Sequence, residues 1–285
     1  MPYSRLATPS ATIAVLERHG LYTRKSLGQH FLVDDNVVGR ILELADLVAG
    51  EPVLEIGPGI GTLTDALLGA AAEVVAVEFD PRLLPVLAEL APRAGSLTVV
   101  HADAVSVEPG GLITSAGAPR ALVANLPYAV AATVVLRFFE EIPTLERAVV
   151  MVQSEVADRM AAVPGTKAYG AYTVKLGLLA RSVGRFAVPR SCFLPPPRVD
   201  SAVIRLDRVP QTSSSTRLAS AARAADAAFS QRRKTLRNSF AAGLGITVSE
   251  ASAMLAEAGV DGSRRAETLG FEEYLALGAA LEKRS

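Results

Sequence analysis

The sequence predicts an α/β protein, with an open Rossmann-like sheet and helices over most of the chain and a small all-helical domain at its end. Three observations predict this. Apolar runs of strand length alternate with helical stretches as far as Leu206. The first of those runs, Pro52 to Ile56, feeds a glycine-rich turn, Gly57-Pro58-Gly59-Ile60-Gly61, that opens a helix. Beyond the polar stretch Gln211 to Thr216 the chain is alanine-rich and reads as helices with short connections.

Taken in order, Ser10 to His19 has a helical pattern that Gly20 stops. The loop Arg24 to Asp34 mixes cations, glycine, an amide and an aromatic, and precedes an amphipathic helix from about Asn36 to Leu47. Strands follow at Pro52 to Ile56, Glu73 to Val77, Leu97 to Val100, Arg120 to Ala124 and Arg147 to Val152. Helices are expected from the glycine turn to about Leu68, at Ala131 to Phe139, at Gln153 to Met160 and at Ala171 to Leu179, with Val163 to Thr166 a loop. Arg181 to Val188 is a further strand, and Ser201 to Leu206 closes the sheet. Between them Pro189 to Asp200 is extended, because proline drives the residue before it out of the helical region. The domain boundary falls at the polar linker: residues 1–210 form one domain, with 1–35 an arm and a loop that could fold over a bound ligand, and 211–285 a small helical domain. In the latter, helices are expected at Arg217 to Phe229, Lys234 to Ala242, Ser249 to Ala258 and Phe271 to Lys283.

Composition narrows the function. Half of the 285 residues are hydrophobic, and every apolar stretch is interrupted well short of membrane-spanning length, so a cytoplasmic protein without a membrane role is expected. A single cysteine, Cys192, excludes an internal disulfide, and with three histidines no metal site is expected. The formal net charge is zero, yet Arg181 to Arg237 carries twelve Lys/Arg against three acids, Asp200, Asp207 and Asp226. Such asymmetry points to a nucleic-acid face.

The candidate chemistry lies at strand ends. Glycines after the first strand let a backbone approach a ligand at a helix N-terminus. Glu78 ends the second strand, about twenty residues on, where an acid suits both ribose hydroxyls. Asp103, after the third strand, is placed to accept from an adenine exocyclic amine. The fourth strand runs into Asn125-Leu126-Pro127-Tyr128 at the same edge. A nicotinamide dehydrogenase is the rival on this pattern, but its fingerprint needs glycine where Thr62 stands, and no acid/base histidine is evident near Tyr128. Phe193, on a proline-stiffened loop, reads equally as a stacking platform or a core plug.

Gln29-His30-Phe31-Leu32, Gly57-Pro58-Gly59-x-Gly61, Asn125-Leu126-Pro127-Tyr128, Phe193-x-Pro-x-Pro-x-Val199-x-Ser201 and Gln231 to Arg237 occur in the order found in the ribosomal RNA adenine N6,N6-dimethyltransferase family, which this chain resembles from about Gly28 to Arg237. The resemblance is strongest to the bacterial small-subunit members. It implies a class I S-adenosylmethionine domain with a mostly parallel seven-stranded sheet whose last strand is antiparallel. It also implies dimethylation of two adjacent adenosines in the 3′-terminal hairpin of 16S rRNA, within an immature small ribosomal subunit, by a monomer. S-adenosylmethionine would be held by His30, Leu32, Gly57, Gly59, Glu78, Asp103 and Asn125, with histidine at 30 where asparagine is common in the family. Asn125 and the Leu126 carbonyl would accept the target amine's hydrogens, Pro127 would stiffen the turn, and Tyr128 and Phe193 would stack on the flipped base. Arg223, Arg232, Arg233, Lys234 and Arg237 would hold RNA phosphates. The alternatives are a large-subunit (23S) dimethyltransferase of the macrolide-resistance type and a non-catalytic small-subunit assembly factor.

Overall fold

The computed structural model describes residues 2–22, 29–48, 50–70, 73–90, 97–115 and 117–284. Residues 24–28 of the expected covering loop lie outside them. Nine strands are described: β1 (Phe31–Leu32), β2 (Pro52–Ile56), β3 (Glu73–Glu78), β4 (Leu97–His101), β5 (Ala121–Asn125), β6 (Arg147–Gln153), β7 (Ala180–Val188), β8 (Phe193–Leu194) and β9 (Ser201–Arg208). Seven form one sheet in the order β4-β3-β2-β5-β6-β9-β7. Neighbours from β4 to β6 are parallel, and β9 runs antiparallel to β6, with Gln153 opposite Ser201. The strand expected at Ser201 to Leu206 to close the sheet is β9. It is the last strand in sequence, but it sits inside β7, because its Ala202, Val203, Ile204 and Leu206 are fully buried while β7 is mostly exposed and suits an edge.

The central strands β2, β3, β5 and β6 are almost wholly buried and, Glu55 apart, apolar through their middles because both faces of the sheet are covered. On one face Val53, Val74, Ala121, Val123, Val149, Met151 and Val203 pack with residues of helices Asp35–Ala45 and Thr62–Ala70. Helix Asp35–Ala45 starts where the Asp34 carboxylate accepts from the Asn36 and Val37 amides. Its C-terminal carbonyls are met by arginines of the sheet: Arg147 Nε donates to Ala45 O at 2.7 Å and Nη2 to Asp46 O at 3.1 Å, while Arg205 Nη1 donates to Leu44 O at 3.0 Å. Arg208 does the same for helix Ala131–Glu141, donating to the carbonyls of Phe139, Ile142 and Leu145. Helix ends leave such carbonyls without partners, and a cation at that end is favourable.

The chain divides into two compact units, residues 1–157 with 182–208, and residues 158–181 with 209–285. A single boundary at 210 therefore misassigns 158–181. That segment puts Tyr169, Val174 and Leu178 into the apolar core made by helices Ser215–Phe229, Leu236–Leu244, Val248–Glu257 and Phe271–Glu282. Close helix packing there depends on glycine: a Cβ at Gly243 would lie 2.4 Å from Ala227 Cα, and one at Gly278 would lie 2.7 Å from the Ala221 nitrogen. Val248–Glu257 begins at a capping box, the Thr247 hydroxyl accepting from the Glu250 amide while Glu250 accepts from the Thr247 amide. The basic residues expected at a helix start precede it instead. Residues 231–234 are a turn, and the helix begins at Leu236, whose amide donates to Arg264 O.

Candidate active site

The order of the sheet places its switch point between β2 and β5, where the chain has filled one side and turns to the other. Open α/β sheets bind ligands outside the carboxyl ends of the strands at that point. A cavity of about 680 Å³ lies there, and His30, Leu32, Gly57, Gly59, Glu78, Asp103, Asn125, Leu126, Pro127 and Tyr128 all line it. It is of a size that small-molecule and cofactor sites have.

The floor is the turn after β2. Gly57, Gly59 and Gly61 have φ of +66°, +64° and +87°, a region that side chains rarely adopt. A Cβ on Gly57 would stand 3.3 Å from Pro127 Cδ, and one on Gly59 would stand 3.2 Å from Phe31 Cε1. The glycine turn thus touches the Asn125–Tyr128 turn directly. Glu78, buried at the end of β3, accepts from the Gly59 amide at 3.1 Å and from the Asp80 amide at 2.8 Å, which ties that strand end to the loop. Burial raises its pKa, and the hydrogen bonds from Asp80 and Gly59 oppose the rise.

Two further acids were not foreseen. Glu55 interrupts the apolar β2, is 1 % exposed, and accepts from the Thr64 hydroxyl at 2.7 Å. Burial pushes its carboxyl up to about 8, the Thr64 bond lowering it and the charge of Glu78 adding to the rise. The signal in the sequence was a carboxylate inside a strand with no apolar alternation to turn it outward. Asp80 accepts from Gln29 Nε2 at 3.0 Å and pairs with Arg82, and the Arg82 bond holds its carboxyl below the usual range. It anchors the segment that begins at Gln29.

β1 and β8 form a two-stranded antiparallel ribbon, Phe31 opposite Leu194 and Leu32 opposite Phe193. Through it His30 Nδ1 comes within 2.8 Å of Pro195 O, and the His30 ring stacks near Tyr128, with centroids 6.0 Å apart and planes at 25°. Tyr128 Oη lies 2.6 Å from Ser201 Oγ, which fixes the ring, and burial raises the phenol's pKa. Asn125 Nδ2 donates to His30 O at 3.3 Å. That bond takes one of the two N–H donors and orients the amide, with Oδ1 able to accept from a ligand. The Leu126 amide is held by Met151 O at 3.1 Å, and Val130 N–H closes a turn on Pro127 O.

Phe193 is not brought into the cavity. It is 2 % exposed and packs in the core with Leu32, Val188 and Cys192, so of its two readings the core plug holds. Its ring is drawn inward because its backbone pairs with Leu32, and the aromatic beside Tyr128 is His30 instead. Arg232 also differs from expectation, since its guanidinium is taken up by Lys167 O, Tyr169 O and Glu267. Arg223, Arg233, Lys234 and Arg237 are exposed. Some of the cations of Arg181 to Arg237 are engaged internally: Arg190 pairs with Asp200, Arg205 with Asp207 and Arg217 with Glu282, and Arg208 serves helix carbonyls.

The residues fit a cationic, adenosine-bearing amino acid. The glycines leave a cradle that any Cβ would narrow, Glu55 is a buried acid in want of a cation, and Thr62 Oγ1, at the start of the following helix, is buried without a hydrogen-bond partner. No group of three metal-ligating side chains occurs among the described residues, nor is any single helix among them long and apolar enough to cross a membrane.

A parallel sheet whose antiparallel strand lies next to the edge, with this cavity at its switch point, defines an S-adenosylmethionine-dependent methyltransferase of the Rossmann-like class. The comparisons with known proteins narrow the class. A family profile described as ribosomal RNA adenine dimethylase matches residues 20–283. The chain is 42 % identical to the ribosomal RNA small subunit methyltransferase A of Enterococcus faecalis, covering 99 % of this chain and 98 % of the relative. It is 45 % identical to the protein of that name from Rhodococcus opacus, covering 96 % and 94 %. Among solved structures, a dimethyladenosine transferase from Plasmodium falciparum superposes with a TM-score of 0.74 at 25 % identity, covering 90 % of this chain and 98 % of that one. The 23S rRNA methyltransferase ErmE superposes with a TM-score of 0.64 at 31 % identity, covering 88 % and 99 %. This chain belongs to the ribosomal RNA adenine dimethylase family.

Proposed function

We propose that the protein transfers methyl groups from S-adenosylmethionine to N6 of two adjacent adenosines in the 3′-terminal hairpin of 16S rRNA, acting in the cytoplasm as a monomer on an immature small subunit. The choice of the small subunit is supported by the relatives at about 40 % identity over nearly the full chain, which carry that name. The observation that carries the chemistry is the orientation of Asn125, whose amide nitrogen is held by His30 O.

The cofactor's ammonium would meet Glu55, its ribose Glu78 and its adenine Asp103, with the backbone of Gly57 and Gly59 beneath. When bound, it supplies an electrophilic methyl group on a sulfonium. The adenine N6 is a poor nucleophile because its lone pair is delocalised into the ring. Asn125 Oδ1 and the Leu126 carbonyl accept the two N6 hydrogens, which draws the nitrogen toward a pyramidal form with its lone pair free. Each methyl group supplied would replace one N6 hydrogen, whose proton would pass to solvent. These acceptors assist because they hold the polarised nitrogen of the transition state more strongly than the planar ground state. A base reaches such a pocket only when it has left its stack, and Tyr128, fixed by Ser201, offers a ring to receive it. Stacking of this kind contributes about 1 to 3 kcal/mol per base. Pro127 brings no amide donor into the turn and restricts its backbone.

The test is methyl transfer to unmethylated small subunits and to large-subunit rRNA, with the modified bases mapped. Modification of the two adjacent small-subunit adenosines is expected, and modification of 23S rRNA alone would overturn the reading. Asn125→Ala is expected to abolish transfer with the fold kept, and near-normal turnover by that variant would refute the acceptor role.

A further inference from the structure

A loop that the catalytic reading leaves unused is held with unusual care. Val163-Pro164-Gly165-Thr166 forms a turn with proline second and a glycine at φ +85° third, closed by the Thr166 amide on Val163 O at 3.2 Å. Proline and glycine in those places are what a type II turn requires. The Thr166 hydroxyl donates to the same carbonyl at 2.8 Å, and the Tyr169 amide closes a second turn on Thr166 O. Gly165 N–H donates to Glu267 O at 2.7 Å, and the buried Tyr169 donates its hydroxyl to Leu269 O at 2.8 Å. Arg232 completes the anchorage. Its Nη2 donates to Lys167 O at 2.5 Å and to Tyr169 O at 3.4 Å, and its Nε lies 3.3 Å from Glu267 Oε2.

Two consequences follow from that arginine. It belongs to the basic turn 231–234, so its grip on the Lys167 carbonyl brings the loop within one side chain's reach of Arg233 and Lys234. It also neutralises Glu267, the acid beside the loop that would repel a polyanion. Lys167 itself is exposed, and no hydrogen bond or ion pair engages its ammonium among the described residues. An ordered loop presenting an unpaired cation next to two more is suited to a phosphate backbone, which is bound by position and charge rather than by base edges.

We infer that Lys167 contacts the phosphate backbone of the RNA substrate together with Arg233 and Lys234, and that Arg232 is a positioning residue that presents the loop rather than a phosphate ligand. The inference rests on the RNA-methyltransferase reading above. It assigns the loop 163–168 as part of the RNA surface and removes Arg232 from direct contact.

Binding to in vitro transcribed 16S rRNA, measured over a range of salt concentrations, tests it. Lys167→Ala is expected to weaken binding about fivefold at moderate salt and to lower the slope of log affinity against log salt by about 1. Lys167→Arg should keep the slope, and both variants should melt like the wild type and bind S-adenosylhomocysteine unchanged. Arg232→Ala should lower the melting temperature and weaken RNA binding, and adding Lys167→Ala to it should weaken binding no further. Additive losses would make Arg232 a phosphate ligand and overturn its positioning role. A Lys167→Ala slope equal to the wild type's would overturn the contact even if Arg232→Ala fails to fold. Wild-type binding that ignores salt would instead sink the RNA reading itself, which separates the two failures.

Discussion

Replacing Glu55 by Gln should make the protein more stable and less able to bind its cofactor, and the first effect can be sized. The folded-state pKa of about 8 lies above the ordinary glutamate value of 4.5, so between those pH values the unfolded chain releases a proton that the folded one keeps. Below pH 4.5 both states are protonated and the group has no effect. As pH rises, ionisation favours the unfolded state by about 1.4 kcal/mol per pH unit, until the folded carboxyl also ionises near pH 8. The full penalty is about 5 kcal/mol. Glutamine keeps an oxygen for the Thr64 hydroxyl and does not titrate. Urea unfolding followed by far-ultraviolet circular dichroism should therefore show the gap between variant and wild type widening by about 3 kcal/mol from pH 5.5 to 7.5. Parallel curves would mean that Glu55 is ionised throughout, and the argument from burial would fail. A ligand ammonium against Glu55 would reverse the penalty by favouring the carboxylate. Calorimetry in buffers of different ionisation enthalpy should then register proton release when S-adenosylhomocysteine binds the wild type near pH 7, and none with Glu55→Gln. The acid is kept at a cost to stability, as functional groups commonly are.

Two other substitutions probe the walls of the site. Gly57→Ala places a Cβ 3.3 Å from Pro127 in a left-handed conformation, and the backbone alone should cost about 1 to 2 kcal/mol; a thermal melt shows this, and cofactor affinity and turnover should fall together because one displacement moves both turns. Tyr128→Phe removes the 2.6 Å bond to Ser201 and keeps the ring, so stability should drop by about 1 kcal/mol with turnover within about tenfold of normal. Tyr128→Ala should raise the KM for RNA by more than Tyr128→Phe does, and equal values for the two would argue against stacking.

Much of the site was legible because strand ends are local features. A buried apolar run followed by glycines, by Glu78, by Asp103 or by Asn125-Leu126-Pro127-Tyr128 marks a carboxyl edge wherever it occurs, and parallel strands place those edges together. What the sequence left open has another cause. Phe193 was weighed as an exposed platform because a proline-rich loop gives no period from which burial can be read, and its partner, Leu32, is distant in sequence. Arg232 is expected to hold phosphate like its neighbours, because a run of cations looks uniform along the chain; its bonds to the carbonyls of Lys167 and Tyr169 are visible only in the structure.

The sequence by itself determined the strand–turn–helix order, the glycine cradle, the acids at the strand ends and the alanine-rich helical unit, all of which follow from patterns within a few residues of each other. Only the tertiary structure decided that 158–181 joins the helical core, that Ser201–Arg208 lies inside the sheet, and that Asn125 presents its oxygen. The last of these depends on His30 O, brought there by pairing of Phe31–Leu32 with Phe193–Leu194. Contacts between segments so far apart obey complementarity of shape and hydrogen bonding, and they leave no periodic trace along the chain.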